Sequence, residues 1–268
     1  MRYALYLIFL TLSAPALAND GAALTDREQS ATPTRITLVA GAEYASGEFA
    51  EEDYQTSAAV AGVSVSRGPV SLSASVPYLV TTAPKYLIVN QGGLLGTPLF
   101  ASSDIEFRPV RRKGIGDVSV QAAYRLPVRG FDAAVAASAK IPTASEKRGL
   151  GTGAFDYGVA GQISKRFGSV IPFVGAGYTF VGKPDTFDVH DTLSGTAGAS
   201  IGFSRTSAVS LSYAYEQSQS SQAGDRQSVG VDLGTQLAPN LRLGLNGRAG
   251  LSEDAPDAKL GLRIGLGF

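Results

Sequence analysis

Apolar and polar side chains alternate with a period of two along most of this chain. In the last ten residues Leu260, Leu262, Ile264, Leu266 and Phe268 share one side of an extended backbone, and Lys259, Gly261, Arg263, Gly265 and Gly267 share the other. Such a period marks a strand with one apolar face. The pattern begins after Thr34, where Ile36, Leu38, Ala40, Ala42 and Tyr44 oppose Arg35, Thr37, Gly41 and Glu43. It returns at Val70, Leu72, Ala74, Val76 and Tyr78 against Ser71, Ser73 and Ser75. Further stretches follow at 115–126, 131–141, 155–163, 170–181, 191–203, 208–216, 227–237 and 241–251. Small residues at 54–66 alternate too weakly to fix their facing.

Counting these segments predicts an all-β fold of about twelve strands, an even number with short turns alternating with longer loops. Each runs roughly ten residues, the length a tilted strand needs to cross a bilayer. The expected architecture is therefore a closed up-and-down antiparallel transmembrane β-barrel over 34–268, with 45–53 and 81–113 as loops. A soluble β-sandwich fits strands this long and regular less well. The terminal strand also resembles the closing strand of bacterial outer-membrane barrels, which commonly end in Phe. Aromatic girdles are expected from Tyr44, Tyr78, Tyr124, Phe155, Tyr157, Tyr178, Phe203, Tyr213 and Tyr215.

Composition adds the compartment. Arg2, the apolar run Ala4 to Leu12 and Ala16-Leu17-Ala18 read as a signal peptide over 1–18, too short to span as a helix. Residues 19–33 form a polar N-terminal arm on the periplasmic side. Export of a β-type body places the chain in the outer membrane of a Gram-negative cell, with lipid, lipopolysaccharide and the barrel-assembly machinery as partners. No cysteine is present, and formal net charge is zero, which argues against a nucleic-acid surface. A single histidine cannot build a His-rich metal site, and no cofactor is expected.

The polar face of the pattern lines the lumen. Inward charges are Arg35, Asp117, Arg125, Asp132, Lys140, Asp156, Glu216, Asp232, Arg242, Arg248, Lys259 and Arg263, the candidate lumen-lining and selectivity residues. Setting Leu126 opposite Phe131 places Arg125 against Asp132 and Asp117 against Lys140, with Asp156 near Lys140. A slip of one residue would move these charges into lipid, at up to about 2–4 kcal/mol for a basic residue at mid-membrane. Closure makes the first and last strands neighbours and gathers the basic residues on one wall, with the acids further round. A transverse field across the lumen is the expected result. The alternative is an interior filled by its own neutralising charges.

Gly114-Ile115-Gly116-Asp117 ahead of Tyr124, Lys140-Ile141-Pro142-Thr143, Gly151-Thr152-Gly153 with Asp156, and Gly175-Ala176-Gly177-Tyr178 resemble the outer-membrane family named for the MetA-pathway of phenol degradation. The resemblance implies a barrel that passes small, often aromatic or hydrophobic molecules.

Other chemistry is less supported. Gly149-Leu150-Gly151-Thr152-Gly153 lacks the helix and Lys-Ser/Thr of a phosphate loop. His190 and Ser194 suggest a lipid hydrolase, but four strand residues separate their backbones by ~13 Å. Arg108, Arg111, Arg112 and Lys113 read as a solvated rim, or as a contact for lipopolysaccharide phosphates or anionic solutes. The expected function is passive passage of a small solute, not catalysis. A structural or surface-interaction barrel with a packed lumen is the second reading and an outer-membrane hydrolase the third.

Overall fold

The computed structural model describes residues 33–49, 52–84, 87–90, 97–100, 109–184, 188–221 and 223–268. The expected signal peptide and nearly all of the N-terminal arm lie outside the described residues. In chain order the strands are β1 (Arg35–Phe49), β2 (Glu52–Arg67), β3 (Val70–Pro84), β4 (Leu87–Asn90), β5 (Thr97–Phe100), β6 (Pro109–Ile115), β7 (Val118–Leu126) and β8 (Asp132–Ile141). They continue as β9 (Asp156–Ser164), β10 (Val170–Phe180), β11 (Thr192–Gly202), β12 (Ser207–Glu216), β13 (Arg226–Ala238), β14 (Leu241–Gly250) and β15 (Ala258–Gly267).

Each barrel strand pairs antiparallel with its neighbours, and β1 pairs with both β2 and β15, which closes the sheet. The terminal residue is stitched into that seam. Phe268 N donates to Ile36 O at 2.8 Å and Ile36 N to Phe268 O at 3.2 Å. β6 and β7 lie one after the other along β3, so they share one place and the wall has twelve staves. Closure removes the free edges that hydrocarbon could not satisfy.

Burial alternates as the sequence pattern requires. Leu38, Leu72, Val159, Leu211 and Leu260 point out and are about half exposed, the surface that acyl chains cover in a bilayer. Two aromatic belts border this band. Phe155 stacks on Tyr157 and Tyr178 meets Phe180 edge-on near the long-loop end. Phe131, Phe167, Phe203 and Phe268 stand exposed at the short-turn end, where the Lys165 ammonium lies over the first two rings. Rings at the two interfaces are what a bilayer selects. By the same rule, the short turns face the periplasm and the long loops the exterior.

Three expectations change. The 45–53 loop is a continuing hairpin in which Phe49 pairs with Glu52, because strands that have cleared the bilayer carry polar outward residues without cost. The 81–113 loop is shorter, since β3 runs to Pro84 and β6 starts at Pro109 opposite it, with the small β4–β5 hairpin between. Finally, Leu126 faces Ala133 rather than Phe131, which shifts the β7–β8 register by two residues and preserves the facing. Gly130, with φ 80°, lets the 127–131 turn open wider than a tight hairpin. Arg125 consequently faces Ala134, and Asp132 faces Ser164.

Candidate functional site

The inner wall divides into three levels. At the loop end, the β6–β7 stave carries one residue more than the facing stretch of β3. Leu79 pairs with Gly114 and Ser75 with Ser119, while Gly116 N still donates to Pro77 O at 2.8 Å. This is a β-bulge, and it turns both Gly116 and Asp117 inward. A Cβ on Gly116 would strike Pro77 and Leu79, so only glycine fits there.

Asp117 meets Lys140, which lies opposite Asp156 on β9. The Lys140 ammonium is 2.7 Å from Asp156 and 3.8 Å from Asp117, and all three are nearly inaccessible. Each carboxylate also fixes a loop. Asp117 Oδ1 accepts Ala144 N at 2.9 Å, and Asp156 Oδ1 accepts Gly182 N at 2.9 Å. Lys140 donates to Thr152 Oγ1 at 3.3 Å, and Thr143 Oγ1 donates to Gly116 O at 2.9 Å.

These bonds fold the β8–β9 loop into the mouth of the barrel. Its 3-10 turn Glu146–Arg148 ends on left-handed Gly149. Leu150 then packs on Ala58 of β2 and Leu79 of β3, across the lumen side of β6. Gly151 carries no side chain because a Cβ would meet Ala144 and the Asp117 carboxylate. Arg112, expected at a solvated rim, points inward instead and donates to the carbonyls of Pro84 and Leu87. Arg111 and Lys113 are exposed, and Arg108 lies outside the described residues.

A second ion pair closes the other side. Arg226 opens β13 opposite Glu216, their side chains 2.6 Å apart and almost fully buried. Below it, Arg248 faces Lys259 across β14–β15. Arg263 bonds Glu43 at 2.7 Å, and Asp232 sits opposite Asn246. Arg35, Arg125 and Asp132 are exposed at the short-turn mouth, with Arg242 half-buried there.

A family profile described as MetA-pathway of phenol degradation matches residues 33–268. The chain belongs to that family. Among curated protein sequences, none matches it. The fold is similar to the COG4313 outer membrane channel from Pseudomonas putida F1, with TM-score 0.63 and 12% identity over 93% of this chain and 100% of that one. Weaker likenesses are the CymD monoaromatic hydrocarbon channel (TM-score 0.45, 8% identity, 89% and 88% covered) and the Ralstonia pickettii toluene transporter TbuX (0.43, 9%, 89% and 90%). The protein is an outer-membrane β-barrel.

Three of the four stretches that carried the family resemblance converge in space, because Asp117, Lys140, Thr143, Thr152 and Asp156 form one bonded cluster; the fourth, Gly175 to Tyr178, lies apart from it on β10. Sequence reasoning left out Glu43 and Arg226, which neutralise Arg263 and Glu216. Glu43 sat on the inward face of the first strand and could have been found by its parity. Arg226 falls just before the alternating 227–237 stretch and so outside the strand pattern. Acid and base therefore meet locally at several places around the wall, rather than standing on two opposed walls. Ser194 donates to Gly177 O at 3.4 Å and His190 Nδ1 meets Asp191 O at 3.1 Å, so each is engaged with backbone rather than with the other.

Proposed function

We propose that the protein is a passive channel for a small aromatic or hydrophobic solute and has no catalytic role. The observation that carries this reading is the uneven lining of the lumen. Below the buried loop-end cluster, small inward residues of β1–β3, β8–β9 and β15, such as Gly41, Ser64, Ser73, Ala136, Ala160 and Gly261, remain half exposed, so interior surface is accessible along that arc. Small inner residues leave space that larger ones would fill. The names of the weaker fold relatives, a monoaromatic hydrocarbon channel and a toluene transporter, agree with such a solute.

A packed structural barrel is favoured by the other arc, where Ile171, Phe173, Ser200, Ser210 and Asp232 are buried on the inner face. Phenol entry into liposomes decides between them. Flux above that of empty liposomes is expected of a channel, and flux equal to theirs sinks the reading in favour of the packed barrel.

A further inference from the structure

The inner face of β2, β3, β7 and β8 carries a level row of neutral hydrogen-bonding side chains. Ser64 pairs with Ser73, Ser73 with Gln121 and Gln121 with Ser138, so the four stand at one height on four successive staves. Ser71 and Ser75 extend the row to either side along β3. All six are half-buried and lie on the interior face. Neighbouring strands are about 4.8 Å apart, so the row spans about 14 Å, more than one hydroxyl can cover.

The wall itself does not use these groups. None of the six side chains makes a hydrogen bond to a described residue. Gln121 Oε1 is buried without a donor, and an unpaired carbonyl is costly, so it favours a ligand that brings a hydroxyl proton. On the other arc the hydroxyls are engaged. Ser200 and Ser210 bond each other at 2.6 Å, and Thr196 and Ser194 donate to the carbonyls of Tyr213 and Gly177. The patch also carries no charge. Above it Lys140 is neutralised by Asp117 and Asp156, and Arg125 and Asp132 stand at the short-turn mouth below.

We propose that this row is a binding station for a neutral aromatic that carries two or more hydroxyls. A bare hydrocarbon lying on it would strip water from the serines and return no hydrogen bond, whereas hydroxyls replace that water. The absence of charge favours an uncharged ligand. The aromatic ring rests on the channel reading above; the hydroxyls rest on the row alone. The station therefore separates polyhydroxylated aromatics from the hydrocarbons named for the weaker fold relatives.

The test uses the full chain refolded in detergent, with heats corrected against empty micelles. Resorcinol is the probe, neutral at pH 7 because phenolic hydroxyls ionise near pH 10, and 1,3-dimethoxybenzene is the same ring without donors. Calorimetric titration should show resorcinol binding alike to the native protein and to Ser207→Ala, which loses a hydroxyl that is bonded to Thr235. The triple variant Ser64→Ala, Ser73→Ala, Ser138→Ala keeps the width of the lumen and should bind resorcinol at least about tenfold more weakly. The dimethyl ether should bind weakly to all three proteins. If the triple variant does not fold, Ser73→Ala and Gln121→Ala singly carry the same comparison, each with a smaller loss. Equal resorcinol affinity in the folded serine variants, or equal affinity of the native protein for resorcinol and its ether, overturns the station and leaves the serines as small filler. Phenol flux without resorcinol binding sinks the station and leaves the channel. Serine-dependent resorcinol binding without phenol flux keeps the station and sinks the channel.

Discussion

Lys140 and Asp156 face each other across β8 and β9 with 2.7 Å between ammonium and carboxylate, and neither reaches solvent. Removing one partner of a buried pair strands the other, at about 3–5 kcal/mol, whereas removing both costs less. Asp156→Asn should therefore lower the urea midpoint in vesicles strongly, and Lys140→Gln with Asp156→Asn should recover part of the loss. The Asp117→Ala and Lys140→Ala cycle should also be non-additive, since that pair is 3.8 Å apart. Additive losses in both cycles would show that the contacts carry no coupling.

Register gives a second test, on adjacent residues of one strand. Leu245 faces lipid and Asn246 faces the lumen, where it lies over Gly261. Leu245→Lys should cost about 2–4 kcal/mol near mid-membrane, and Asn246→Lys much less. Equilibrium unfolding from vesicles measures both. Equal costs would mean that the two positions are not on opposite faces.

The faces were legible in the sequence because a period-two pattern with one lipid-facing side leaves little choice of register parity. Val118, Val120, Ala122 and Tyr124 could only point outward once Asp117, Gln121 and Arg125 had to point in. Beyond parity the sequence weakens. A two-residue slip at the 127–131 turn keeps every side chain on its face, so hydrophobicity could not exclude it. The bulge at Gly116 and the inward fold of the β8–β9 loop were illegible for a different reason. They depend on contacts between distant segments, such as Leu150 with Ala58, which no local pattern encodes. The lumen cluster at Asp117, Lys140 and Asp156 was found because its three charges, opposite in sign, fall on the inward face of consecutive strands.

Ion preference should respond to the Arg263–Glu43 pair with opposite signs. The two groups are 2.7 Å apart on the half-buried inner wall, so each masks the other. Glu43→Gln leaves the guanidinium to act on permeant ions and should move the reversal potential toward anions. Arg263→Gln leaves the carboxylate and should move it toward cations. Lumen substitutions tune selectivity more than folding, so both variants should remain heat-modifiable barrels. Reversal potentials that move in the same direction would show that the pair does not face the conducting path.

Leu150 is the point at which the outer mouth can be opened without touching the barrel ladder. It is buried to 4% exposure against Ala58 and Leu79, and no barrel strand contains it. Truncating a buried leucine typically costs about 2–5 kcal/mol. Here the cost falls on the inward fold of the β8–β9 loop, because the twelve staves keep every ladder bond. Leu150→Ala should therefore raise single-channel conductance while unfolding of the barrel shifts little. Gly151→Val should act the same way by another route, since its Cβ would collide with Ala144 and the Asp117 carboxylate and push the loop off the wall. The two variants together should be no more conductive than either alone, because each releases the same loop. Native conductance in both single variants, with their barrels folded, would mean that this loop does not set the width of the path.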